Sequence, residues 1–432
     1  MSKKHFERYD EFFNESPLGR NFEHPIDGLL DLSSIKILYS SVDTIRPIYK
    51  LHLDPDLLEG LDLKMEEEGF HTRVFNLNGF DFALKRGGAS GYKYLLQNSE
   101  LGLILLIKNQ KTKADSSGPH LKIEVSPKVI SEHSVSSLQC LLDNIADIVS
   151  LKGNYQSSGC AVHLALDFQG WEPPVAFDRL VTCRSRRVTD HNGISHLTLD
   201  NDICSVYGKG QSYLFGSAST IQMAVYNKTL EARASDKLDY MGQCWSTKSS
   251  SFDHALYDPD LPVWRVEVRF HHSVINQFSD MNIHTPSSET EAYDPSRLTS
   301  FESIAPHLGG LWEYGLNNFR YDFNTNYIHP AWTVFMTESD FNQYETGFSY
   351  KRKYKTAGIG NEKNIAIALG NMLSIFARNK INSVKAYAFL KKSGIWSDIV
   401  HYFRIRGMNK ADIKLFIEDG LLKRRLSSKV AA

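Results

Sequence analysis

Four short segments of this 432-residue chain place apolar residues at every second position and reactive groups between them. In 120–125 the apolar set is Leu121, Ile123 and Val125, and the others are Lys122 and Glu124. In 161–168 Val162, Leu164, Leu166 and Phe168 stand against His163 and Asp167. In 221–226 Ile221, Met223 and Val225 stand against Gln222 and Tyr226. In 263–270 Trp264, Val266, Val268 and Phe270 stand against Arg265, Glu267 and Arg269. Side chains alternate across a strand, so each segment has one apolar and one chemical face. If the four share a sheet, its open face gathers a phenol, three carboxylates, an imidazole and several cations. That set suits phosphodiester chemistry. Asp167, Glu267 and Glu124 are hard oxygen ligands for Mg²⁺ or Mn²⁺, which would draw charge from a phosphate while the Tyr226 phenolate attacks in line. Arg265 would offset charge in the transition state. The plainer alternative is a solvated strand face with ordinary ion pairs, Glu267 with Arg265 or with a cation on the next strand. The chain also has 20 tyrosines, and most tyrosines pack rather than react.

These positions need a scaffold, and the surrounding pattern supplies one. Leu138–Leu151 has the three-to-four apolar spacing of an amphipathic helix and sits between two of the strand segments. Further strands are expected at 101–107 and 212–215, with polar turns between them. The expected class is α+β: an antiparallel-rich central sheet packed on helices, followed by a basic, mainly helical C-terminal domain. The expected boundaries are a loose arm over 1–25, the sheet domain over 26–280, a linker and accessory region over 281–350, and the basic helical region over 351–432. Residues 283–296, rich in Ser, Thr, Glu and Pro, motivate the linker. Residues 28–79 show short apolar runs and acidic helical stretches, with nothing catalytic.

The formal net charge of −1 conceals an asymmetry, because residues 351–432 hold 18 Lys/Arg against 5 Asp/Glu. A basic helical end suggests nucleic acid as partner. Helix 410–418, followed by Gly420 and then Lys423, Arg424 and Arg425, resembles a helix entering a winged turn, with the three cations on flanking phosphates. The glycine-rich run 85–94 is either a plain hairpin or a loop that stacks on single-stranded DNA, with Lys93 neutralising phosphate. Arg269 is a further candidate for DNA contact. Five widely spaced cysteines form no C-x-x-C pair, which argues against a zinc ribbon or a secreted disulfide framework. No stretch is apolar enough for a signal peptide or membrane span, so a cytosolic (bacterial) location is expected.

The same segments resemble motifs of the Rep_trans family, the rolling-circle initiators of staphylococcal-type plasmids and CTX-type filamentous phages, the phage branch more closely. The resemblance covers roughly residues 80–275. Its most specific part is 213–228, an aromatic-Phe-Gly-Ser segment leading to Tyr226-Asn227-Lys228. Trp264 to Glu267, Leu121 to Glu124 and Leu164 to Phe168 are similar to three other family strands. The family's plasmid members have an aspartate where this chain has His163, whose role as ligand, proton shuttle or filler stays open. The resemblance implies that Tyr226 is the nicking nucleophile, assisted by Lys228 and Arg265. It also implies a 5′-phosphotyrosine link, a free 3′-OH for DNA polymerase, loading of a host helicase, and a homodimer acting on double-stranded origin DNA and on single strands. Two other readings compete: a metal-independent tyrosine recombinase or topoisomerase, which the carboxylate-rich strands disfavour, and a non-enzymatic origin-binding or repressor protein.

Overall fold

The computed structural model describes residues 21–24, 28–67, 73–87, 91–183, 187–189, 210–247, 257–279, 298–324, 327–341, 350 and 362–426. The chain divides into two compact units, residues 1–353 and 354–432.

In the first unit the period-two segments fold as strands of one sheet. A small hairpin, β1 (Asn21–His24) and β2 (Gly28–Asp31), precedes the long β3 (Lys36–Leu53). A meander follows: β4 (Arg73–Leu77), β5 (Phe80–Arg86), β6 (Tyr92–Asn98), β7 (Leu103–Asn109) and β8 (Gly118–Val125). After the 20-residue β9 (Ser150–Gln169) come the short β10 (Val181–Thr182), then β11 (Arg187–Thr189), β12 (Ser212–Gly216), β13 (Ile221–Asn227), β14 (Trp264–Phe270), β15 (Arg320–Asn324) and β16 (Tyr327–Ile328). Eleven of them form one sheet in the order β11-β12-β13-β14-β9-β3-β8-β7-β6-β5-β4. Its pairs are antiparallel throughout. With the helices, this is the α+β class.

Every residue assigned to the apolar face of the four segments, from Leu121 on β8 to Phe270 on β14, lies in one hydrophobic core. Helix Val135–Val149 covers part of that face with Leu138, Leu142 and Ala146, and Ser134 caps its start by accepting from the Ser137 N–H at 3.2 Å. Helix His272–Ser279 adds Val274, Ile275 and Phe278.

Within the expected linker and accessory region, 281–350, the described residues 298–324 and 327–341 contribute to this core. Helix Leu308–Asn318 and helix Pro330–Thr337 bury Leu311, Trp312, Leu316, Trp332 and Phe335. The indoles of Trp312 and Trp332 donate to the carbonyls of Phe335 (2.9 Å) and Leu316 (3.2 Å), locking the two helices together. A Cβ on Gly315 would stand 2.5 Å from Val268, so only glycine lets the first helix lie this close to β14. The polar stretch that suggested a linker, 283–296, lies outside the described residues, as does the arm over 1–20.

Among the described residues the second unit has four helices, Glu362–Arg378, Ser383–Lys392, Trp396–Arg404 and Lys410–Leu426, around a core of its own that includes Leu369, Leu373, Leu390, Ile399, Phe403 and Ile417. The winged turn expected at Gly420 is absent. The last helix continues to Leu426, because Gly420 is buried against Leu373 and its missing side chain permits the close approach. Among the described residues no helix is long and apolar enough to cross a membrane.

Candidate functional site

Register builds the site. Tyr226 on β13 pairs with Arg265 on β14, which pairs with Asp167 on β9. Two residues along β14, Glu267 pairs with Ala224 and Ala165. Two further along, Arg269 pairs with Gln222 and His163. A fourth strand adds a residue that alternation does not foretell. On β3 both Val42 and Ile45 pack toward the apolar core, although three residues apart. The register shifts between Val42 and Thr44. Such a bulge inserts one residue and re-aims a side chain, and here Asp43 reaches the open face.

Two linked groups of charges result. In the first, Arg265 is 1% exposed and each nitrogen of its guanidinium donates to a carboxylate. Nε and Nη2 donate to Asp167 at 2.5 and 2.8 Å, and Nη1 donates to Asp43. Asp167 also accepts the indole N–H of Trp245 at 2.8 Å. Trp245 lies on helix Leu238–Ser246, which packs over this end of the open face with Met241 against Leu38 and Val263.

In the second group, Glu267 accepts both Nε (2.7 Å) and Nη2 (2.9 Å) of Arg269 and the Tyr226 hydroxyl at 3.1 Å. Its Oε1 lies 3.2 Å from His163 Nδ1. Burial pushes both the Glu267 and Asp43 carboxyls up, yet neighbouring cations, chiefly Arg269 for the first and Arg265 for the second, outweigh it and leave both below their ordinary values. Burial holds the His163 imidazole low, hence neutral near pH 7. It raises the Tyr226 phenol well above its ordinary range, and the Glu267 charge adds to this.

Asp43, His163 and Glu267 each offer a ligand atom within 4.8 Å of the others. Counting Asp43, Asp167 and Glu267 against Arg265 and Arg269, this buried group retains one negative charge while His163 is neutral. Two carboxylates, a neutral imidazole and residual negative charge fit a divalent cation, Mn²⁺ more naturally than Mg²⁺.

The structure thus brings together Tyr226, Glu267, Arg265, Arg269 and His163, and adds Asp43 and Trp245. Asp167 stands beside the group, with both oxygens engaged by Arg265 and one of them also by Trp245. Glu124 stands apart on β8, three strands from β14, and accepts Arg46 Nε at 2.7 Å. Lys228 opens helix Lys228–Ala234, pairs with Glu231 and holds its ammonium 5.9 Å from the Tyr226 ring centroid. Lys93 is five strands from β14 and pairs with Asp62 at 2.5 Å.

In the second unit Lys423 pairs with Asp419 at 2.7 Å, Arg424 Nε donates to Ser374 Oγ at 3.0 Å, and Arg425 donates to the Ile381 carbonyl at 2.8 Å. The arginines therefore tie the last helix into the bundle. Cys140, Cys160 and Cys244 are free thiols, and Cys204 lies outside the described residues.

No protein-family profile matches the chain and no solved structure is similar to it, so the likeness to the Rep_trans family rests on the short motifs alone. One relative covers nearly the whole molecule: the uncharacterized protein ORF430 of Pseudomonas phage Pf1 is 36% identical over 423 residues, 96% of this chain and 95% of the relative.

Proposed function

We propose that this chain, which belongs to the family of the Pseudomonas phage Pf1 protein ORF430, is a rolling-circle replication initiator that nicks one strand of its origin through Tyr226. The observation that carries the reading is the 3.1 Å hydrogen bond from the Tyr226 hydroxyl to Glu267, a carboxylate that also belongs to the Asp43–His163–Glu267 group. A nucleophilic phenol bonded to one member of a cation-binding set is what metal-assisted transesterification requires. A phage relative accords with a replication role.

The Tyr226 oxygen attacks the scissile phosphorus, the bond from phosphorus to the 3′ oxygen breaks, and the phosphate passes to the tyrosine. The departing 3′ oxygen takes a proton and becomes the primer end, so no water is consumed. Glu267 orients the Tyr226 hydroxyl by accepting its hydrogen bond, and a divalent cation beside it would offset the raised proton affinity of the buried phenol, whose proton leaves to solvent. A divalent cation held by Asp43, His163 and Glu267 would draw charge from the phosphate. Arg265 is a positioning residue, since each of its three nitrogens is bonded to Asp43 or Asp167. The basic helical unit, host helicase, DNA polymerase and a second copy of the chain complete the proposal as partners.

The test is incubation with supercoiled DNA carrying the cognate origin, with Mn²⁺, with Mg²⁺ or with EDTA. A nicked circle with protein on its 5′ end, formed only with metal, is expected. Intact circles under every metal condition, with the DNA nonetheless bound, would favour the non-enzymatic origin-binding reading.

A further inference from the structure

The open face carries a second cationic feature, along β14 from the Tyr226 centre. Two small residues of β9, Gly159 and Ala161, keep the sheet surface low there. Ile48 of β3 pairs with Gly159 on one side and Lys122 of β8 on the other, while Arg46 pairs with Ala161. Lys122 and Arg46 therefore flank this low strip along one edge. On the other edge β14 ends at Phe270, opposite Val162, and the chain turns through His271 into the helix that starts at His272. His272 stands over Gly159, since a Cβ built there would lie 3.0–3.3 Å from three atoms of the His272 side chain. The His271 and His272 ring centroids lie 4.0 Å apart with the rings tilted by 42°, and His271 Nδ1 meets Ser273 Oγ at 2.8 Å.

The strip is short of negative charge. Arg46 has Glu124 as its carboxylate partner and also meets His163 Nε2 at 3.4 Å. Lys122 has no hydrogen-bond or ion-pair partner among the described residues. Burial and the adjacent Arg46 push its ammonium below its ordinary value, and the Glu124 charge, engaged by Arg46, only partly offsets them. Unpaired buried charge is costly, and a bound anion would offset it.

We propose that Lys122, Arg46, His271 and His272 form a phosphate site that takes a backbone phosphate of the single strand, a few nucleotides from the one that is cut. The phosphate chemistry stands on this cluster alone, while its assignment to DNA rests on the nicking reading. His271 lies six residues beyond Arg265, about 20 Å along β14. A strand reaching from Tyr226 to this site would be held on both sides of the reacting group's neighbourhood, which fixes its direction across the sheet.

The test uses the full chain and two probes, inorganic phosphate by thermal shift and a short fluorescent oligothymidylate by anisotropy over a salt series. Phosphate should raise the melting temperature of the wild type and compete with the oligonucleotide. Lys122→Gln should weaken the oligonucleotide about tenfold and lower the salt slope by about 0.7, the value for one single-strand phosphate contact. His272→Gln should weaken it in the same direction, and Lys122→Arg should retain binding. Lys122→Met, suited to a partly buried position, repeats the measurement if the glutamine variant does not fold. Unchanged affinity and salt slope in a folded Lys122→Gln or Lys122→Met protein overturns the site. Phosphate that stabilises the protein without displacing the oligonucleotide overturns its assignment to DNA backbone. Covalent attachment through Tyr226 is measured alongside: its absence, with Lys122-dependent binding intact, removes the nicking reading and leaves the phosphate site.

Discussion

Replacing Asp167 by Asn separates a metal ligand from a group that acts through Arg265. Asp167 is fully buried and accepts three bonds, two from Arg265 and one from Trp245. Asparagine keeps the size but removes the charge and turns an N–H₂ group toward those donors. Breaking a buried ion pair by changing one partner costs about 3–5 kcal/mol. Arg265 keeps Asp43 on its third nitrogen, so the low end, about 3 kcal/mol, is expected here. Unfolding entropy is about 2 cal/mol/K per residue, so in the unit spanning residues 1–353 that loss lowers the melting temperature by about 4 °C. Calorimetry measures the melting, and nicking well below it is followed across a Mn²⁺ titration. The Mn²⁺ requirement should shift far less than in Asp43→Asn or Glu267→Gln, where loss of a ligand should raise it at least about tenfold, the lower end for changes merely next to a ligand. If Asp167→Asn melted like the wild type yet needed as much extra metal as Glu267→Gln, Asp167 would be the ligand and this division of roles would be refuted.

Three further outcomes are expected. Tyr226→Phe keeps the ring and loses the nucleophile, so covalent adduct should vanish while origin binding stays near wild type; undiminished adduct on a mapped peptide would identify another tyrosine. Glu267 and Asp43 titrate below their ordinary values in the folded protein, so their stabilisation is present above the unfolded values, 4.5 for Glu267, and is lost as pH falls through the lower folded ones. Melting followed from about pH 6 to about pH 2 should therefore fall more shallowly in Glu267→Gln than in the wild type. Ending the chain near Thr356 removes the unit with most of the basic excess, so duplex affinity should drop and its salt dependence flatten; unchanged affinity and slope would move that unit to a protein-binding role.

The four strands that carry Tyr226, His163, Arg265 and Glu267 were legible because each is regular and buried on one side, so period two shows directly in the residues. The core helices of 298–341 were not, because a neighbouring polar stretch dominated the reading while Trp312, Trp332 and Phe335 find their place only against the sheet. The last helix was cut short at Gly420 for a related reason: a glycine reads as a stop unless the neighbour that needs it, Leu373, is known.

The strand at the centre of the site was missed outright, and its irregularity is the cause. β3 shifts register four times against β9 and carries Pro47 between two hydrogen-bonded neighbours, features that argue against a central strand when read in one dimension. Yet the shift between Val42 and Thr44 is what brings Asp43 to the open face. In unbroken alternation through the same residues, a strand that buries Ile45 would also bury residue 43, and the carboxylate would point into the apolar core. Arg265 would then have lost one of its two anionic partners, and Glu267 and His163 would lack a third ligand. Deletion of Asp43, which restores regular alternation between Val42 and Ile45 and leaves Thr44 on the open face, should test this step. If the strand re-pairs in regular register, metal-dependent nicking should be lost while the hydrophobic core forms. Such a deletion with wild-type metal dependence would show that Asp43 is dispensable and that the cation, if bound, is held by His163 and Glu267 without it.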